Sequence, residues 1–335
     1  MNVIYLHTSL RKCGPTYQLL AIISNENKNF NNHLFLIKSI KSEIVKISNL
    51  NQVFSLFQLV RLINLLNTET YVIHSSGFLP DVLLFLIKIF FPKNLRAFST
   101  VRNIPWEDYK YRFGYFGYIF SNFHIFILKR LNIICCSSTV YDEFTKLNLP
   151  KQNIFFVDNC FTLPNKKNIE FVRTGNLKFI TLSPLIKRKQ VLLAVNLFKK
   201  LELDFQFDIF GNGPESNALL KLIKEDKRFR YKGFVNNNEI NYQNYDALVS
   251  LSLSEGLPNS VIETLYYGTF AVLSPISAHK YFSNFSSKAL ILKSFSQSNL
   301  INLLDFILEN RNSNKDLDNF RNYFSKERMI KEYQG

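Results

Sequence analysis

The stretch that decides the fold is Tyr245–Pro275, YDALVSLSLSEGLPNSVIETLYYGTFAVLSP. An apolar run, Ala247–Leu251, reads as a buried strand. A polar turn, Glu255-Gly256-Leu257-Pro258-Asn259, then opens a helix expected over Asn259–Tyr267. Pro258 suits the first helical turn, and Gly268 suits the C-terminal cap. A second apolar run, Phe270–Leu273, follows at once. Strand, helix and strand in so short a space form a parallel crossover unit.

The same alternation extends outward in both directions. Toward the N-terminus it gives strands Phe179–Leu182, Phe205–Phe210 and Phe229–Tyr231, with helices Lys189–Leu201 and Pro214–Asp226 between them. Toward the C-terminus come strand Ala289–Leu292 and helices Ser296–Asn310 and Asp316–Tyr333. The first half repeats the scheme. Its strands are Val3–Leu6, His33–Ile37, Tyr71–His74, Leu95–Val101, Ile133–Cys136 and Ile154–Val157. Its helices are Tyr17–Ser24, Gln52–Asn67, Pro80–Phe91, Tyr111–Lys129 and Thr139–Leu147. The basic, polar stretch 164–177 reads as a linker. The expectation is an α/β chain of two doubly wound Rossmann-like domains, 1–163 and 178–335, with the last helix free to pack back on the first. Their carboxyl edges would face a ligand cleft.

Composition narrows the class. A chain of 335 residues with 47% hydrophobic and 20% charged residues is neither disordered nor fibrous. No apolar run reaches the roughly 18 residues of a spanning helix. Met1–Leu6 lacks a basic leader, so a cytoplasmic location is expected. Four cysteines, two of them adjacent (Cys135, Cys136), form neither a disulfide framework nor a zinc pattern. The five histidines are scattered. Net charge is +15, divided as +8 over residues 1–160 and +7 over 161–335. A field so evenly spread favours anionic partners: nucleic acid, phosphorylated substrates or an anionic membrane.

Within the deciding stretch, the amides of Gly256, Leu257 and Asn259 precede a helix, where an anion is favoured. Glu255 and Glu263 can accept the hydroxyls of a polyol. Equally, Glu255 can be a charge for the helix dipole and Glu263 a solvated face residue. Gly211 and Gly213 mark a strand-to-helix turn, and Lys187-Arg188-Lys189 can be a solvated helix start.

The pattern Ser-x-x-Glu-Gly-Leu-Pro-Asn-x-x-x-Glu, with seven residues between Glu255 and Glu263, resembles the donor-site signature of glycosyltransferase family 4. Gly211-Asn212-Gly213-Pro214-Glu215, Gly233-Phe234-Val235 and the loop Leu182–Lys189 are similar to further motifs of that family, in the same order. In the first half, Leu6–Pro15, with Gly14, and His74-Ser75-Ser76-Gly77 occupy the places of its N-terminal loop and its His-x-His segment. The resemblance implies the GT-B fold and retaining transfer from a UDP- or GDP-sugar without cofactor or metal. The acceptor would be a glycan or lipid-linked glycan of a cell-surface polysaccharide.

The resemblance also implies roles. Glu263 would bind ribose hydroxyls and Glu255 hydroxyls of the transferred sugar. Lys189 would neutralise the diphosphate, helped by the amides of Gly256, Leu257 and Asn259 around Pro258. Pro184 stands where the family has Arg, so Lys187 or Arg188 would substitute. Arg102 stands where the family often has His. It cannot deprotonate an acceptor but can hold an anionic one. Gly14 and His74 would lie on the acceptor side, and Glu255, Lys189 and Arg102 would be the catalytic set. Other classes compatible with the sequence are a nucleotide-sugar epimerase, a phosphorylase, or a non-catalytic nucleic-acid or anion-binding protein. Because Tyr109–Arg130 mixes aromatic and basic residues, it reads either as a core-packed helix or as a face for the inner membrane surface.

Overall fold

The computed structural model describes residues 2–10, 13–23, 31–37, 53–54, 71–90, 95–147, 149–150, 153–163 and 175–334. The chain divides into two units. Met1–Thr162 joins Lys326–Gly335 in the first, and Leu163–Ser325 forms the second.

In the first unit, strands β1 (Asn2–His7), β2 (Asn31–Leu36), β3 (Val53–Phe54), β4 (Tyr71–Ser75), β5 (Leu95–Val101), β6 (Asn132–Cys135) and β7 (Ile154–Phe156) make one parallel sheet. Its order is β3-β2-β1-β4-β5-β6-β7. Alternate residues of β1 feed opposite cores. Val3 and Tyr5 pack with helix α1 (Gly14–Ile23), whereas Ile4 and Leu6 pack with helix α2 (Phe78–Phe90). A strand buried on both faces explains its unbroken apolar run. Helices α3 (Pro105–Phe113), α4 (Gly117–Leu128) and α5 (Ser138–Thr145) follow among the described residues of the N-terminal part.

The second unit contains β8 (Leu177–Leu182), β9 (Phe205–Phe210), β10 (Phe229–Gly233), β11 (Ala247–Ser250), β12 (Phe270–Leu273) and β13 (Ala289–Ile291), parallel in the order β10-β9-β8-β11-β12-β13. Helices α6 (Val191–Lys199), α7 (Ser216–Ile223), α8 (Asn259–Tyr266), α9 (Ser277–Lys280), α10 (Gln297–Asn310) and α11 (Leu317–Tyr323) alternate with these strands or follow them. Phe179, Phe198, Phe205, Phe207 and Phe229 build an edge-to-face aromatic core. In each sheet the order reverses once, between β1 and β4 and between β8 and β11. Ligands of such sheets bind outside the carboxyl ends at the reversal.

Three sequence expectations change. The sequence predicts a helix over Gln52–Asn67, yet Val53 and Phe54 pair with Leu34 and Phe35 as a strand; residues 55–67 lie outside the described set. Tyr111–Lys129 is two helices, broken at Gly114–Phe116. There Gly114 adopts φ 56°, and a Cβ on Gly117 would lie 2.2 Å from the Tyr109 carbonyl oxygen. Asp316–Tyr333 is also two helices. Phe320 and Phe324 are buried in the second unit, while helix α12 (Lys326–Gln334) inserts Met329 into the first unit's core. Of the linker read at 164–177, residues 164–174 lie outside the described set, and β8 begins at Leu177.

Candidate functional site

The second unit's sheet reverses between β8 and β11, and the loops leaving those two strands converge. After β8 the chain runs through residues 183–186 into a single 3-10 turn, Lys187–Lys189. Gln190 then takes a left-handed conformation, φ 53°, before α6 begins. The loop is held from two sides. Leu185 donates its amide to the Asn212 carbonyl at 3.0 Å, and the Arg188 carbonyl accepts from the Leu253 amide at 2.9 Å. Gly211 and Gly213 permit the first contact. A Cβ on Gly211 would fall 1.9 Å from the Ser183 oxygen, and one on Gly213 would fall 2.2 Å from the Leu185 oxygen. Close backbone approach therefore accounts for both glycines.

Fixed in this way, Arg188 and Lys189 reach Glu255 in the loop after β11. Lys189 Nζ donates to Glu255 Oε1, and Arg188 donates to Oε2 at 3.3 Å and to the Ser254 carbonyl. Burial works to raise the Glu255 pKa, but the two cations outweigh it and hold the carboxyl at about 2. Glu255 is therefore an ion-paired carboxylate rather than a simple helix-dipole charge. Of the two cations expected to replace the family arginine, Arg188 joins this cluster and Lys187 stays exposed.

Glu263, on α8, is 2% exposed, so it is not a solvated face residue. Its Oε2 accepts from the Tyr242 hydroxyl at 2.5 Å and from Asn237 Nδ2 at 2.7 Å. Burial pushes its carboxyl up to about 7 despite those two donors. Tyr242 is itself fully buried and stacks on Tyr267 at 5.7 Å. Pro258 caps α8 from just outside the helix, and Gly268 closes it with φ 70°.

His279 completes the group. Its Nδ1 shares a 2.9 Å hydrogen bond with Ser274 Oγ, whose hydroxyl also reaches the Ser252 carbonyl. Burial lowers its pKa to about 4, and it is near enough to Glu255 and Lys189 for both charges to act on it. His279 Nε2 and Ser252 Oγ are buried without hydrogen-bond partners. Such orphans are costly unless a ligand satisfies them. Sequence reasoning passed over His279, Tyr242 and Asn237. The histidine stands alone in its segment, and the other two lie in an Asn-rich stretch with no periodicity.

At the first unit's reversal, the carboxyl ends of β1, β4 and β5 carry His7, His74 and Arg102. His74 is paired with Thr100 Oγ1 at 2.6 Å and meets Tyr5 and Tyr333 edge-on. Burial, with Arg102 and His7 nearby, lowers its pKa to about 3, so the imidazole is neutral. Arg102 donates to Asn159 Oδ1 at 2.8 Å, and its buried Nε has no partner. Gly14 opens α1, next to Cys13. Among the described residues, no group of three or more His, Cys, Asp or Glu is placed to hold a metal.

Residues 164–324 match the model of the family described as glycosyl transferases group 1. The chain is a GT-B glycosyltransferase. An O-antigen biosynthesis glycosyltransferase of Escherichia coli, WclY, is 24% identical over 351 residues, spanning all of this chain and 97% of that protein. Among solved structures, the Anabaena protein Alr3699/HepE in complex with UDP-glucose is similar with a TM-score of 0.77. It is 12% identical, and the match covers 100% of this chain and 98% of that one. The lipopolysaccharide outer core galactosyltransferase WaaB gives a TM-score of 0.72 at 13% identity, with the same coverage. None of these matches supports an epimerase, a phosphorylase or a nucleic-acid-binding protein. In this glycosyltransferase the cluster of Arg188, Lys189, Glu255 and His279, and Glu263 on α8, all lie within the second unit.

Proposed function

We propose that this glycosyltransferase is a retaining enzyme of the family 4 type that takes its sugar from a UDP- or GDP-sugar. The observation that carries the reading is the pairing of Arg188 and Lys189 with Glu255, in the loop that leads into the helix carrying the buried Glu263. Two cations held by a single carboxylate are a ready exchange site. An incoming diphosphate takes over Arg188 and Lys189, and Glu255 is released to accept a hydroxyl of the sugar. Charge accumulates on the diphosphate as the glycosidic bond breaks, so these cations stabilise the transition state more than the ground state. Glu263, with Tyr242 and Asn237 fixing its orientation, accepts the ribose hydroxyls. His279 Nε2 and Ser252 Oγ offer polar partners beside Glu255. With Lys, Arg and backbone dipoles carrying the charge, the reaction proceeds without a divalent metal.

The acceptor is a glycan or lipid-linked glycan of a cell-surface polysaccharide of O-antigen, lipopolysaccharide or capsule type. WclY, by its name, belongs to such a pathway, and HepE was solved with UDP-glucose. In the first unit, Arg102 and His74 serve the acceptor side, Arg102 as a cation and His74 as a neutral support. The enzyme works at the inner face of the cell membrane as a peripheral protein. No helix among the described residues is long and apolar enough to cross a membrane, and the +15 charge suits an anionic leaflet.

A calorimetric screen of UDP- and GDP-sugars is the test. Saturation by one nucleotide class, with transfer of its sugar to a lipid-linked glycan at retained anomeric configuration, supports the reading. Absence of binding to every nucleotide-sugar sinks it.

A further inference from the structure

The first unit displays an apolar surface that its fold does not use. Among the described residues, 22 large hydrophobic side chains are exposed, and 13 of them lie between residues 79 and 126. They belong to the outer sides of α2, α3 and α4 and to the 114–116 turn. The most exposed are Tyr115 at 89%, Tyr118 at 75% and Phe90 at 74%. A soluble surface rarely concentrates apolar area in this way without a partner.

These side chains are presented on a rigid base. Phe78 packs edge-on against Tyr109, Phe120, Phe123 and His124. Below it, His124 Nε2 meets Asp81 at 2.8 Å and His124 Nδ1 meets the Tyr109 hydroxyl at 2.8 Å. Asp81 also accepts from Ser75 on β4 and from Ser99 on β5. This buried clasp ties all three helices to the sheet, so the outward face is preorganised.

Charge identifies the partner. Residues 109–130 contain Lys110, Arg112, Lys129 and Arg130 and no acidic residue. Arg112 and Arg130 sit over the rings of Phe113 and Phe126, at 5.1 and 3.6 Å. A second copy of the chain, meeting this face with its own, would bring like charges together. An anionic leaflet complements both features. Aromatic rings suit its headgroup region, and each nearby Lys or Arg is drawn to its negative surface potential.

We propose that the outer faces of α2 and α4, with the 114–116 turn, dock the protein on an anionic phospholipid bilayer. The inference rests on the reading that the enzyme works at a membrane, and it assigns the surface that makes contact. It is tested by co-sedimentation with vesicles of pure phosphatidylcholine and of phosphatidylcholine mixed with phosphatidylglycerol. The wild type is compared with Tyr115→Ser/Tyr118→Ser/Ile119→Ser and with Lys110→Glu/Lys129→Glu. The expected result is binding to the mixed vesicles, weakened about tenfold or more by either set of substitutions and by high salt. Melting temperature and nucleotide-sugar affinity should stay unchanged, because every altered side chain is exposed. Wild-type binding that is absent at low salt, or indifferent to lipid charge or to these substitutions, overturns the proposal. So does a serine variant whose sole effect is to dissolve a dimer. Failure to bind nucleotide-sugars would defeat the functional reading and leave the vesicle result standing.

Discussion

Lys189 and Glu255 lie 66 residues apart in the chain, yet they form one ion pair whose side chains are 14% and 9% exposed. Their meeting joins the loop after β8 to the loop after β11, the two strands between which the sheet order reverses. A buried ion pair adds little net stability over an apolar replacement, so stability alone explains this one poorly. It is well explained as a site in its resting state.

Lys189→Ala should weaken nucleotide-sugar binding by about 10- to 150-fold, the cost of one charge-assisted hydrogen bond in a buried site. Glu255→Gln should act differently. It frees both cations, so binding of the bare nucleoside diphosphate should hold or tighten while sugar transfer falls. Calorimetry with UDP and GDP, set beside a transfer assay, separates the two. A Glu255→Gln variant with normal transfer would remove Glu255 from the reaction.

Glu263 should make stability fall with rising pH. Its carboxyl titrates at about 7 in the folded protein against 4.5 unfolded. Between those values the folded state binds the extra proton, so its contribution is complete below pH ~4.5 and is lost as pH rises through ~7. A shift of that size corresponds to on the order of 3 kcal/mol. Glu263→Gln should therefore flatten the decline in melting temperature between mildly acidic and alkaline pH. It should also weaken binding of the nucleotide, since an amide is a poorer acceptor for the ribose. Parallel melting profiles for wild type and variant would show that the carboxyl is not perturbed.

Gly211→Ala should destabilise by about 2–4 kcal/mol, combining a positive φ with a Cβ 1.9 Å from the Ser183 oxygen. Gly77 provides the control. It has φ 97° and open space around its Cβ, so Gly77→Ala should cost only about 1–2 kcal/mol. Chemical denaturation of both variants checks the difference. Equal losses would mean that backbone strain, not contact with the 183–185 loop, sets the requirement for glycine.

Transfer should survive treatment with a chelator, since Arg188 and Lys189 supply the cationic partners of the diphosphate. Loss of activity with EDTA that is restored by Mn²⁺ or Mg²⁺ would refute that assignment.

The alternating strands and helices were legible because a doubly covered parallel sheet writes its strands as unbroken apolar runs. Leu95–Val101, Phe205–Phe210 and Phe270–Leu273 matched to the residue. The helix breaks were not legible. Gly114–Phe116 is as aromatic as its flanks, and what interrupts the helix is the approach of Gly117 to the Tyr109 backbone, a tertiary contact. In the site, Glu255, Glu263, Arg188 and Lys189 could be singled out because motif spacing carries them. Tyr242 and Asn237 could not, since their relation to Glu263 arises only when α8 packs over the chain ahead of β11. The same holds for His279, which reaches the cluster through Ser274 and the end of β12.

The placement of α12 bears on how the chain is made. Met329 belongs to the same core as Val3, Leu19 and Leu34, although the whole second unit, 163–325, is synthesised between them. A ribosome adding 5–20 residues per second needs roughly 10–30 s to cross that interval. Throughout that time the nascent first unit lacks one of the buried side chains of its core. The half of the protein that emerges first is thus finished last. A chain stopped at residue 325 would carry a complete second unit and leave the first with an open hydrophobic seam for chaperones and proteases to find.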